Sequence, residues 1–167
     1  MEKMSEKTKK ITLGAAIAAL YVILTLIANA FGLANYAIQV RFSEALTILP
    51  LMTPAAIPGL FVGCIISNIL TGAMALDVVF GSIATLIGAI GTYMCRNLKC
   101  KYIGCIPPIA ANTIIVPIIL KNVYQFDGSV WYFALTVGIG EVISCGILGC
   151  ILYKALNKNK AITEIAE

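Results

Sequence analysis

Apolar residues in this chain come in long uncharged runs that break at a few points. No Asp, Glu, Lys or Arg occurs within residues 11–40, 45–76, 78–95, 102–120, 128–140 or 142–153. Crossing a bilayer as a helix takes about 20 mostly apolar residues. The pattern predicts helices over 11–31, 43–49, 55–70, 76–95, 102–120 and 129–153. The second is short because Pro50, Pro54 and Pro58 interrupt a run that is too long for one span and too short for two; proline lacks the N–H that continues the helical ladder. Pro107, Pro108 and Pro117 predict a bend in the fifth helix. Asp127-Gly128-Ser129 reads as a turn, with Ser129 as the N-cap of the last helix. Residues 32–42, with Gly32, Asn35 and Gln39, form a loop on the outer side.

The expectation is an all-α membrane protein. Six transmembrane helices with a short second one occupy residues 11–155, flanked by polar tails at 1–10 and 156–167. Composition agrees: 12% of residues are charged and 60% are hydrophobic, with a mean hydropathy of +0.94, against about 25% charged in a soluble domain. Ala28-Asn29-Ala30 looks like a signal-cleavage triplet, but the uncharged run around it exceeds the about 7–15 residues of a signal core. Retention of the first helix is expected.

Charge placement sets the orientation. Lys3, Lys7, Lys9 and Lys10 precede the first run, Arg96, Lys99 and Lys101 separate two later ones, and Lys154, Lys158 and Lys160 follow the last. Basic residues collect on the cytoplasmic side of membrane proteins, which places both termini and the 96–101 loop in the cytoplasm. Because these clusters flank spans and do not line one soluble face, nucleic-acid binding is not expected. Cys95, Cys100 and Cys105 lack the short pairs of a zinc site, so the six cysteines read as small apolar residues in a reducing compartment, and no metal is expected.

A few polar groups stand where hydrocarbon should exclude them. Glu141 lies twelve residues from both Ser129 and Tyr153, so about 18 Å of helix extends on either side of it. A charge at that depth costs roughly 2.5–3.5 kcal/mol and calls for a wet cavity, a partner or a ligand. Asn112 sits at similar depth on the fifth helix, while Asn68, Asp77, Arg41 and Glu44 approach the same outer half from three other segments. Two readings stand beside each other. Glu141 bonded to Asn112 or Asn68 would pin the bundle, Arg41 and Glu44 would form a local ion pair behind a Ser43 cap, and Asp77 would be a helix-start acid. Alternatively, all six line a ligand pocket. Tyr36, Tyr124, Trp131, Tyr132 and Phe133 are either an interfacial belt or a stacking wall. Asn29 and Gln39 read as loop or core residues. On helix 1, Gly14/Ala18 and Ala15/Ala19 form small-xxx-small pairs that permit close backbone approach in lipid, either within the bundle or to another subunit. No phosphate-binding G-x-x-x-x-G-K-[ST] loop, histidine or nucleophile elbow occurs, so the chain should neither hydrolyse ATP nor act as an enzyme. A binding subunit, a channel, an ion-coupled carrier or a purely structural subunit remains.

The segments AAIAAL, IQVRFSEALTILP, TPAAIPGLFVGCIISN and LDVVFGSIATLIGA, within residues 12–153, resemble the QueT family of substrate-binding S components of energy-coupling factor transporters, which is assigned to queuosine precursors. The resemblance implies a pocket open to the outside, a transmembrane coupling subunit and two cytoplasmic ATPases as partners, and delivery by toppling in the membrane. ATP is then used by the partners, and this chain carries no cofactor. Ala15 and Ala19 match the family's A-x-x-x-A docking motif, with Gly14 and Ala18 beside them. The implied ligand is a 7-deazaguanine such as prequeuosine or queuine. On that basis Glu141 is expected to take the ring edge, Asp77 or Glu44 an amine, Asn68 and Asn112 the remaining ring atoms, and Trp131 or Tyr132 the stack, with Arg41 and Glu44 pairing to order the outer loop as a lid. The alternatives are a proton-coupled carrier of an aromatic metabolite that uses Glu141, and an S component for a different vitamin.

Overall fold

The expected helices form, with ends near those expected. The computed structural model of the chain describes residues 5–33 and 40–158. Asn35, Tyr36, Gln39, Lys3 and Lys160, named above, lie outside the described residues. In chain order the elements are α1 (Glu6–Ala30), a 3₁₀ helix (Phe42–Leu51), α2 (Ala56–Leu70), α3 (Ala75–Met94), two short 3₁₀ turns (Cys95–Asn97 and Lys101–Cys105), α4 (Ile106–Asn122), α5 (Val130–Glu141), a π-helical segment (Val142–Leu148) and α6 (Gly149–Asn157). Among the described residues there is no strand.

The expected count of six spans is not reproduced. Among the described residues, four helical stretches are long and apolar enough to cross a membrane: Glu6–Ala30, Ala75–Asn97, Lys101–Asn122 and Val130–Asn157. The other two apolar helices, Phe42–Leu51 and Ala56–Leu70, are shorter. The 15 residues of α2 reach about 22 Å at α-helical rise, less than the hydrocarbon thickness of about 30 Å. The prolines account for this. Pro50 lies inside the 3₁₀ helix, and α2 starts only after the turn that holds Pro54, with Pro58 in its first turn, where a missing N–H costs nothing. Pro107 and Pro108 likewise mark the start of α4 and do not bend its middle; of the three expected to bend it, only Pro117 lies inside that helix.

The bundle neighbours follow the chain: α1 packs on α2, α2 on α3, α3 on α4 and α4 on α5. The 3₁₀ helix threads between them, touching α1, α2, α3, the π segment and α6. Ser43, Glu44, Ala45, Leu46, Thr47, Ile48 and Pro50 are all buried in it. Side chains tie it to its neighbours. Thr25 on α1 donates to Ser43 Oγ at 2.8 Å, Thr47 Oγ1 donates to Cys145 Sγ at 3.4 Å, and the Arg41 N–H donates to Ser144 Oγ at 3.1 Å. In contrast, large apolar side chains such as Ile23, Val79, Phe80, Ile87 and Ile151 are exposed on the outside of the bundle. A soluble chain rarely exposes so much contiguous apolar surface; lipid covers it here.

Glycine sets the closest helix approach. A Cβ on Gly59 of α2 would stand 2.6 Å from the Gly14 carbonyl oxygen, and one on Gly63 would stand 3.0 Å from that of Ala18. The Gly14/Ala18 pair therefore packs inside the bundle against α2, as small-xxx-small faces do in lipid. Ala15 and Ala19, one residue on in each case, are exposed. The four small residues that the sequence grouped as one docking face divide between an inner and an outer face. Gly59→Val should lower the thermal midpoint in detergent, with a loss of about 1–3 kcal/mol from overpacking. Gly146→Ala, whose added carbon meets nothing closer than 3.8 Å, should leave it unchanged.

Candidate functional site

The ends of the helices leave a cavity of about 710 Å³, within the range of about 300–1,000 Å³ usual for small-molecule sites. The C-terminal ends of α1, α2 and α4 and the N-terminal ends of α3 and α5 all reach it, through Thr25, Asn68, Leu120, Asp77 and Tyr132. It lies at the end of the bundle away from the basic clusters, because α1 begins with Lys7, Lys9 and Lys10 and α3 and α6 run toward Arg96 and Lys154.

One wall is aromatic. Tyr124, Phe126, Tyr132 and Phe133 all line the cavity, in two pairs with ring centroids 5.5 Å (Tyr124–Phe126) and 5.7 Å (Tyr132–Phe133) apart. Ser129 fixes the start of α5 behind them: its Oγ accepts from the Tyr132 N–H at 3.2 Å, the expected N-cap. Asn29, Arg41, Asn68 and Asp77 also line the cavity. The Tyr124 hydroxyl donates to Asp77 Oδ2 at 2.8 Å and accepts from the Met74 N–H at 3.2 Å. Burial, with the Asp77 carboxylate adding to it, holds the Tyr124 hydroxyl above the usual phenol range, so it remains a donor at neutral pH. Asp77 is thereby positioned from outside its own helix.

Below the cavity the walls narrow to a recess of about 10 Å³ that shares Arg41, Asp77, Val116 and Val137 with it and adds Glu44, Asn112 and Glu141. Glu44 and Glu141 are 1% and 7% exposed. Glu141 Oε1 accepts from Asn112 Nδ2 at 3.0 Å and Oε2 from the Cys145 thiol at 3.0 Å. Tyr21 of α1 donates to Glu44 Oε1 at 2.5 Å, while Glu44 Oε2 is buried without a hydrogen-bond partner. Oxygens of the two carboxylates and the Cys145 sulfur lie within 4.8 Å of one another. Cys145 lies four residues after Glu141, on the same side of the helix, within the π segment that begins at Val142; π-bulges are common at functional sites.

Seven of the eight expected pocket residues line these two spaces: Arg41, Asn68, Asp77 and Tyr132 the cavity, and Arg41, Glu44, Asp77, Asn112 and Glu141 the recess. Trp131 does not. It is 85% exposed on the outside of α5, one residue from the wall, because neighbouring helical positions point about 100° apart. Tyr132 and Phe133 line the cavity. The expected ion pair between Arg41 and Glu44 is also absent: among the described residues the only salt bridge is Lys9–Glu6, and Glu44 turns to Tyr21. Asn68 does not reach Glu141; its Nδ2 donates weakly to Cys64 Sγ at 3.5 Å. Asn29, expected in a loop or core, lines the cavity with Thr25 and Thr136. Tyr21 gave no signal in the sequence, where it reads as one more apolar-run residue. The cysteines divide as well. Cys145 donates to Glu141, and Cys64 accepts from Asn68 and Thr85, beyond the filler role expected of them.

The chain matches the model of the QueT transporter family over residues 11–158. It belongs to the QueT transporter family. The match spans both the cavity and the recess, and it agrees with the apolar helices in making the chain a membrane transporter. No curated protein and no solved structure matches it. In this QueT-family chain Tyr21→Phe removes the hydroxyl that donates to Glu44 Oε1 and leaves a buried carboxyl group less well satisfied. Unfolding in detergent should show a loss of about 1–3 kcal/mol.

Proposed function

We propose that the chain is the substrate-binding S component of an energy-coupling factor importer, and that it captures a queuosine precursor of the 7-deazaguanine class from outside the cell. The observation that carries this reading is the cavity itself: a space of about 710 Å³ lined by four aromatic rings together with Asn68, Asp77 and Arg41. A flat heterocycle stacks on such a wall, while an amide and a carboxylate accept and donate along its edge. The positive-inside rule turns the cavity to the outside, since the basic clusters lie at the opposite end. Family membership supports the same reading.

Delivery then needs an energy source that this chain does not supply, and the reading assigns it to a coupling subunit with two ATPases. Exposed Ala15 and Ala19 on α1 offer the coupling subunit a face that allows close helix approach. Gly14 and Ala18, committed to α2, have no part in it. Bound ligand is carried inward as the whole bundle tilts, so the chain itself needs no second gate.

Native mass spectrometry of protein purified from cells tests the ligand assignment. A retained deazapurine is expected; absence of any retained base, together with no thermal stabilisation by added 7-deazaguanines, would overturn the assignment. Uptake by this chain alone in vesicles, driven by a pH gradient, would instead favour a proton-coupled carrier. Ala15→Leu with Ala19→Leu should abolish co-purification with the coupling subunit while ligand affinity stays within about twofold, a change under about 0.5 kcal/mol. Loss of both properties together would remove the docking role.

A further inference from the structure

At the end of the bundle away from the cavity, two sulfurs meet. Cys105 closes the second 3₁₀ turn, Lys101–Cys105, and Cys150 is the second residue of α6. Their Sγ atoms are 3.5 Å apart although the residues are 45 positions apart in the chain, and both thiols are free. A second contact joins the same two elements: the rings of Tyr102 and Tyr153 meet edge to face, with centroids 6.5 Å apart. Each tyrosine stands three residues from its cysteine, and positions three apart share a face in both kinds of helix. Lys101 precedes Cys105 by four residues and Lys154 follows Cys150 by four. Helical rise therefore puts both sulfurs within about 6–8 Å of the cationic, cytoplasmic edge. Cys105 is 5% exposed, whereas Cys150 is half-buried. Cys64 and Cys145, in contrast, are tied to Asn68, Thr85 and Glu141 deeper in the bundle.

We infer that Cys105 and Cys150 form a redox-modification site, a dithiol that hydrogen peroxide closes to a disulfide, fastening α6 to the start of α4 at the cytoplasmic end. The thiolate is the nucleophile in such chemistry, and Cys150, the more accessible of the two, meets the oxidant first. Its sulfur attacks one peroxide oxygen, the O–O bond breaks, and the departing oxygen takes up a proton and leaves as water, giving a sulfenic acid at Cys150. The Cys105 sulfur then displaces the sulfenic hydroxyl, which leaves as a second water with the proton that Cys105 gives up, and the S–S bond forms. Two thiols lose two electrons and two protons, and one peroxide becomes two waters. To reach a bond length of about 2.05 Å the sulfurs approach by about 1.5 Å, a distance that side-chain rotation covers. In the reducing cytoplasm the pair rests as thiols, because disulfides there are transient and redox-sensing.

Treatment of the full chain in detergent with hydrogen peroxide, then maleimide blocking of free thiols and peptide mass mapping, provides the test. Most molecules should yield a peptide pair joined through Cys105 and Cys150, two hydrogens lighter than its parts and separated by dithiothreitol. The thermal midpoint of the oxidised chain should rise by about 5 °C, because the link closes a long loop. Cys150→Ser should lose both the link and the shift. Should that variant not fold, mapping of the unaltered chain decides by itself. Maleimide on both cysteines after peroxide, sulfinic acid at Cys150 without a link, or a link between Cys95 and Cys100 in its place would each overturn the inference. A link that leaves the midpoint unchanged overturns the fastening of α6.

Discussion

A ten-residue 3₁₀ helix lies inside this membrane protein, and its need for protein cover governs the rest of the structure. Such helices seldom exceed 3–4 residues, because their hydrogen bonds are poorly aligned, and backbone of this kind at membrane depth persists only where protein or a cavity surrounds it. Here α1, α2, α3, α6 and the π segment all touch it. Thr25, Ser144 and Cys145 meet its polar groups from three directions. Glu44, Arg41 and the floor of the cavity are carried on this helix, so every helix that covers it also shapes the site.

The two tiers of the site follow from the same arrangement. Around the cavity, helix ends contribute aromatic and amide groups that suit a flat guest. Lower down, Glu44 from the 3₁₀ helix meets Glu141 from the end of α5, and both are almost wholly buried. Two carboxyl groups so close in a low-dielectric interior cannot both ionise without strong repulsion, and Tyr21, Asn112 and Cys145 donate hydrogen bonds to them. Apolar packing alone would not hold this region in register; hydrogen bonds across helices do.

Helix α1 joins the site to the outer surface. Gly14, Ile17, Ala18, Tyr21 and Thr25 are buried on one side, and Tyr21 reaches the Glu44 carboxylate. Ala15, Ala16, Ala19 and Leu20 are exposed on the other. A single helix thus carries both the tyrosine that reaches the floor of the pocket and the exposed small residues of the outer face.

By itself the sequence determined the helices, because uncharged length and proline are local properties: α2 begins one residue from its expected start, and Ser129 caps α5. Burial cost alone singled out Glu141, Asn112, Asn68, Asp77, Arg41 and Glu44 as site residues, since ionisable and amide groups in hydrocarbon require a reason wherever they fall. Tertiary structure decided what those groups meet. Helical phase turned Trp131 to the outside and Phe133 inward. A tyrosine 23 residues away in sequence replaced Arg41 as the partner of Glu44, and contact with α2 separated Gly14 and Ala18 from Ala15 and Ala19. Each of these depends on which side chains from distant segments arrive at one point, and spacing along a chain does not carry that information.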